Sequence, residues 1–117
     1  MTVLIALAGG LGAASRFVLD GFITERTAAG YPWATTIINV SGAFLLGLIV
    51  GLGSDSDWLT VAGVGFLGGY TTFSTASFET ARLAHDGRYG AALANGLGML
   101  VVAVGAASIG FWLGALA

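Results

Sequence analysis

Ten charged side chains are all that this 117-residue chain has to face water with: four Arg, six Asp or Glu, and no Lys. A soluble domain is roughly 25% charged, and a small one leaves much of its surface exposed. Here 9% of residues are charged and 56% are hydrophobic, with a mean hydropathy of +0.91. That composition excludes a soluble enzyme or a DNA-binding domain and makes an integral membrane protein the expectation, with lipid as its solvent. No basic patch is available for nucleic acid. The absence of Cys removes disulfides and thiol chemistry, and one His with no carboxylate cluster speaks against zinc. The N-terminus lacks a basic stretch, so the first apolar segment reads as a retained helix rather than a cleaved leader. No nucleophile–base pair suggests an enzyme.

A membrane helix needs about 20 mostly apolar residues. Four segments meet that length, so the expectation is a single all-α transmembrane domain over residues 1–117. The spans run from Val3 to Ile23, Pro32 to Leu52, Trp58 to about Ala84 and Tyr89 to Leu116. The joints are short, which makes sequential spans antiparallel. Pro32 suits a first helical turn. Asp55 or Asp57 can cap the third span. Tyr31, Trp33, Trp58 and Tyr89 sit where amphipathic rings anchor at headgroups. Glycine occupies 20 positions, well above the usual ~7%. It makes GxxxG pairs at Gly47/Gly51, Gly65/Gly69 and Gly110/Gly114, a spacing that brings helix backbones together. So many small faces suggest an oligomer.

The third span is unusual. About ten apolar residues precede Gly68-Gly69, then Thr71, Thr72, Ser74 and Thr75. Ten residues at 1.5 Å rise cover about half of a ~30 Å hydrocarbon core, so the glycine pair falls near the midplane. An unwound turn there survives only if it is buried, wet or bound to an ion; the alternative is a kinked helix. Asn39, inside the second span, serves either as interhelical glue or as pore lining. Arg16 can pair with Asp20 at i+4, reach the interface, or offer positive potential to an anion. Glu79 lies seven residues past Thr72, with Arg82 at i+3 as a possible ion-pair partner.

Three blocks resemble one family. Gly9-Gly-Leu-Gly-Ala-Ala-Ser-Arg16-Phe17 is similar to GGxxGAxxRY, and Pro32-Trp-Ala-Thr-Thr-Ile-Ile-Asn39-Val-Ser-Gly42 to PxGTLxVNxxG. Gly65-Phe-Leu-Gly-Gly-Tyr-Thr-Thr-Phe-Ser-Thr75 resembles GFxGGxTTFST. These are blocks of the small bacterial and archaeal fluoride channels, the CrcB/Fluc family, and the likeness covers the whole chain. It implies passive fluoride efflux across the plasma membrane by an inverted-topology (antiparallel) dimer with pores along its interface. It implies a central structural Na+ held by the carbonyls of Gly68 and Thr71. It places Asn39, Phe73 and Thr75 in the pore, Glu79 nearby, and Arg16 toward the aqueous vestibule. Asn and Ser/Thr groups can donate to a dehydrated fluoride, and ring edges carry partial positive charge. The chain departs from the pattern at Ala34 and at Ala76, where a second Phe is usual. A fourth-span polar track aligns with Asn95, Met99 and Ala103.

With four spans, Arg26, Arg82 and Arg88 share one side and no Arg lies on the other. Arg-rich short loops favour the cytoplasm, so insertion in one fixed orientation is expected, with both termini outside. Some members of the family it resembles pair two different, paralogous subunits of opposite fixed orientation, so the bias points to one half of such a heterodimer, with an antiparallel homodimer left open. The alternatives are a non-conducting structural subunit of such a pair, or a small multidrug-type transporter built on Asp20.

Overall fold

A computed structural model describes residues 2–27, 30–53 and 57–117, with the backbone alone at Thr60. Asp55, one of the two expected caps, lies outside the described residues. Among the described residues every element is helical. Helix α1 is Thr2–Arg26, and α2 is Trp33–Gly51. A helical run over 57–70, here α3, begins as Asp57–Thr60, widens to π geometry over Val61–Leu67, and closes with Gly68–Tyr70. Helix α4 is Phe73–His85. Helix α5 is Tyr89–Leu116, with π geometry over Ala94–Gly98.

Three of these, α1, α2 and α5, are long and apolar enough to cross a membrane. Helices α3 and α4 are each too short to do so alone. Much of the apolar side-chain surface faces outward, including Leu7, Phe17, Leu100 and Trp112. Water would penalise that surface at ~25 cal/mol per Å²; hydrocarbon does not.

The ends follow local chemistry. Pro32 sits one residue earlier than expected, as the residue preceding α2, and its carbonyl accepts the Thr36 N–H at 3.3 Å. Helix α4 ends in a Schellman turn. The Arg88 N–H reaches the Leu83 carbonyl at 2.9 Å, the Gly87 N–H reaches that of Ala84 at 3.1 Å, and Gly87 takes φ +78°. The Arg88 guanidinium donates to the Gly30 carbonyl, which ties the two joints at that end together.

Glycines decide which helices touch. Gly47 and Gly51 press on the backbone at Ala107 and Phe111, while Gly110 and Gly114 press on the backbone around Phe44, Leu48 and Gly51. Positions increase together along both helices, so α2 and α5 run parallel, glycine face into glycine face. Gly65 and Gly69 meet Ile5, Ala8 and Gly9 of α1 in the same parallel sense. All three GxxxG pairs are therefore consumed within the chain. That corrects the inference drawn from them: small faces packed internally give no argument for a second copy. Between the two parallel pairs lies the core of Ile38, Leu67 and Tyr70, flanked by Leu19, Ile49 and Phe66. The Tyr70 hydroxyl, carried into this core, shares a hydrogen bond with Ser41 at 3.0 Å.

Candidate ion-binding site

Between α3 and α4 the backbone is extended at two residues, Thr71 (φ −81°, ψ 158°) and Thr72 (φ −147°, ψ 113°). The twin glycines expected to unwind are instead helical. Gly69 spends its missing side chain on close approach, since a methyl there would collide with the Gly9 carbonyl. The extended residues are two β-branched threonines, which accept that conformation readily. Thr72 also restarts the helix, its hydroxyl accepting the Thr75 N–H at 3.1 Å, an N-cap worth about 1 kcal/mol.

Two extended residues deprive the backbone of helical partners, and Asn39 supplies them from α2. Its Oδ1 accepts the Thr72 N–H at 2.9 Å, and its Nδ2 donates to the Thr72 carbonyl at 2.9 Å. The amide thus mimics a neighbouring strand. Nδ2 also donates to the Met99 sulfur at 3.4 Å. Of the two readings open for Asn39, interhelical glue is observed directly. At the end of α3 the last carbonyls lack helical donors. The Leu67 carbonyl is the exception: it keeps the i+4 N–H of Thr71 and also takes the Thr71 hydroxyl, each at 3.0 Å. Gly68 lies in this last turn, exposed, with nothing within 4 Å of where a Cβ would stand.

The interruption opens onto a cleft of about 900 Å³. Of the sequence-derived residues, Asn39, Gly68, Thr71 and Phe73 line it, and Phe73 is 86% exposed. Asn95, Met99 and Ala103 line it together, one turn apart along α5, as the aligned polar track requires. Asn95 is buried; its Nδ2 donates to the Thr80 hydroxyl at 2.9 Å and to the Ala76 carbonyl at 3.4 Å.

Thr75, Glu79 and Arg16 do not line the cleft. Thr75 is half-buried at the cap. The ion pairs suggested for the other two are not formed among the described residues. Asp20 accepts from the Thr24 hydroxyl at 3.3 Å, and the buried Nε of Arg16 has no hydrogen-bond partner. Glu79 lies beside Thr35, with one buried carboxylate oxygen unpartnered, while Arg82 is exposed. Both acids sit one helical turn from the Arg proposed for them, but each Arg points elsewhere. Two features of the site escaped the sequence reading: the Thr80 hydroxyl and the sulfur contact of Met99. The only available signal was spacing, since Thr80 follows Phe73 by seven residues.

Residues 3–111 match the family described as CrcB-like protein, Camphor Resistance (CrcB). The chain belongs to the CrcB family. This CrcB chain is 52% identical over 117 residues to the "Fluoride-specific ion channel FluC 1" of Leifsonia xyli subsp. xyli, covering 97% of itself and 85% of that relative. It is 48% identical over 121 residues to the "Fluoride-specific ion channel FluC 2" of Cutibacterium acnes, covering 97% and 98%. It is 41% identical over 109 residues to a "Fluoride-specific ion channel FluC 2" of Mycobacterium tuberculosis, covering 93% and 86%. These CrcB relatives are ion channels, not enzymes, and the chain is a multi-pass membrane protein of their family.

Proposed function

We propose that this chain is a fluoride channel subunit that lets fluoride leave the cell passively across the plasma membrane. The observation that carries the reading is the helix interruption opening, beside Asn39 and Phe73, onto a cleft in a chain whose relatives are named as fluoride channels. On this reading α3 and α4 form one broken span with its interruption near the bilayer midplane. A second chain of opposite orientation covers the exposed cleft and completes an anion path between the two. Asn39, Phe73 and Thr75 line the path; Glu79 and Arg16 act at its polar ends.

The residues present fit a structural Na+. Carbonyl oxygens are hard donors suited to such a cation. The C-terminal end of α3 is the negative end of its dipole, and the open space at Gly68 permits close approach. The carbonyls of Gly68 and Thr71 would hold the ion, with the same pair from the second chain. It would supply fixed positive potential beside the anion path. Fluoride is strongly hydrated, so donors along the path replace its water. Conduction needs that replacement to be weak enough for the ion to leave.

A second reading has one observation in its favour. Ala76, Met99 and Ala103 make much of the cleft lining apolar, which suits a non-conducting subunit paired with a conducting paralogue. Reconstitution into fluoride-loaded liposomes decides between them. Efflux from the chain alone, followed with a fluoride electrode, would establish a self-sufficient channel. Efflux only with a paralogue of opposite orientation would establish a pair, and a Phe73→Ile change in this chain that leaves that flux intact would make this subunit structural. No efflux in either format would overturn the fluoride reading.

A further inference from the structure

We propose that Met99 sets how tightly the cleft holds a small anion, by occupying the one Asn39 hydrogen that the helix interruption does not use. The inference rests on the fluoride reading above. The orientation of the Asn39 amide is fixed by its surroundings. The Thr72 N–H can only donate, so the atom 2.9 Å from it is the amide oxygen. The amide nitrogen then has two hydrogens. One is committed to the Thr72 carbonyl at 2.9 Å, and the other meets the Met99 sulfur at 3.4 Å.

These two bonds are unequal. The first satisfies a backbone carbonyl freed by the extended turn, and breaking it leaves a part-buried polar group without a partner. The second ends on a thioether, a weak acceptor. Met99 is 7% exposed on α5, so its sulfur is held at that position by packing. Both residues line the cleft. Fluoride in the cleft can therefore take the sulfur-facing hydrogen and displace only the sulfur, leaving the Asn39–Thr72 pairing whole. Met99 acts through Asn39, as a positioning residue. With the anion absent it keeps the second N–H satisfied; with the anion present it yields. The strength of the sulfur contact is subtracted from the anion's binding, which favours release.

The chain contains two side-chain amides, Asn39 and Asn95, and no Gln, so its side-chain amide NMR spectrum holds four N–H signals. The test uses ¹⁵N-asparagine-labelled protein in nanodiscs, in whichever assembly carries fluoride in liposomes, titrated with NaF against NaCl. In the wild type we expect fluoride to move one Asn39 hydrogen and leave its geminal neighbour in place. In Met99→Leu the same signal should start displaced before any fluoride is added. Half-saturation should then fall about fivefold, the scale of one weak neutral hydrogen bond. Unmoved Asn95 signals show that Met99→Leu keeps its fold; if they move, the wild-type titration decides alone. Movement of both Asn39 hydrogens, or of the Thr72-facing one, overturns the proposal. So does a Met99→Leu half-saturation within twofold of wild type. Liposome flux with a silent Asn39 overturns the role of Met99 and leaves the fluoride reading standing. Silence in both experiments overturns both.

Discussion

Asn39 replaces two hydrogen bonds that an uninterrupted helix would have made for itself. Removing the amide strands both polar groups of Thr72 in a part-buried site. Asn39→Ala should therefore destabilise the protein by about 2 kcal/mol, read as a lower midpoint of thermal unfolding in detergent. Asn39→Asp keeps the acceptor for the Thr72 N–H but turns a carboxylate toward the Thr72 carbonyl, so it should restore little of the loss. An unchanged midpoint in both variants would mean that the turn holds itself open. At this scale the sequence spoke partially. It marked Asn39 as a polar group in an apolar helix, which must find partners or water. It could not say that the partner is a backbone 33 positions away, because such a pairing depends on how α2 lies against the interruption. The ion pairs offered for Arg16 and Glu79 are not formed among the described residues for the same reason. An i+4 or i+3 spacing brings two side chains within reach of each other, but tertiary packing decides which way they turn.

Among the elements, glycine spacing marks close backbone approach, and the three GxxxG pairs make that approach within the chain. The pattern is identical whether the facing helix belongs to the same chain or to another, so sequence alone leaves that open. Two substitutions separate the tight glycines from the loose ones. Gly47→Leu or Gly110→Leu drives a side chain into the backbone of the facing helix and should cost about 1–3 kcal/mol or more, with loss of the monodisperse species on gel filtration. Gly105→Leu has nothing within 4 Å and should behave like wild type. Gly68→Ala is a sharper probe. It is equally uncrowded within this chain, so folding should change by about 1 kcal/mol at most. If the Gly68 carbonyl faces a cation shared with a second chain, the same change should lower fluoride flux severalfold; equal flux would remove Gly68 from the site. The helices themselves were read nearly to their ends. The interruption was placed two residues early because glycine was credited with unwinding when its function here is contact.

For the whole molecule, fixed orientation and the cation are the testable issues. Arg88 donates to the carbonyl of Gly30, so the two Arg-bearing joints lie at one end, as the span count requires. A C-terminal cysteine added for labelling should be reached by an impermeant maleimide in intact cells, and labelling only after lysis would reverse the orientation. Replacing Na+ on both faces with a large organic cation should reduce fluoride efflux from liposomes severalfold, and undiminished flux would dispense with the ion. The all-helical, membrane-spanning class was the most readable in advance, because charge scarcity and apolar length are additive over many residues and survive errors at any one of them. The parallel pairing of α2 with α5 was not, since it depends on which glycine faces meet.

That pairing also orders events in time. Gly47 and Gly51 wait for Ala107 and Phe111, and Gly9 waits for Gly69, so neither contact can close when its first helix emerges from the ribosome. The α1 notch must lie vacant in lipid until α3 is made, and the α2 notch until translation is nearly complete. A chain halted after residue 93 would leave the Gly47/Gly51 notch exposed permanently, because Ala107 and Phe111 would never arrive, a lesion that membrane proteases could recognise before any function was tested.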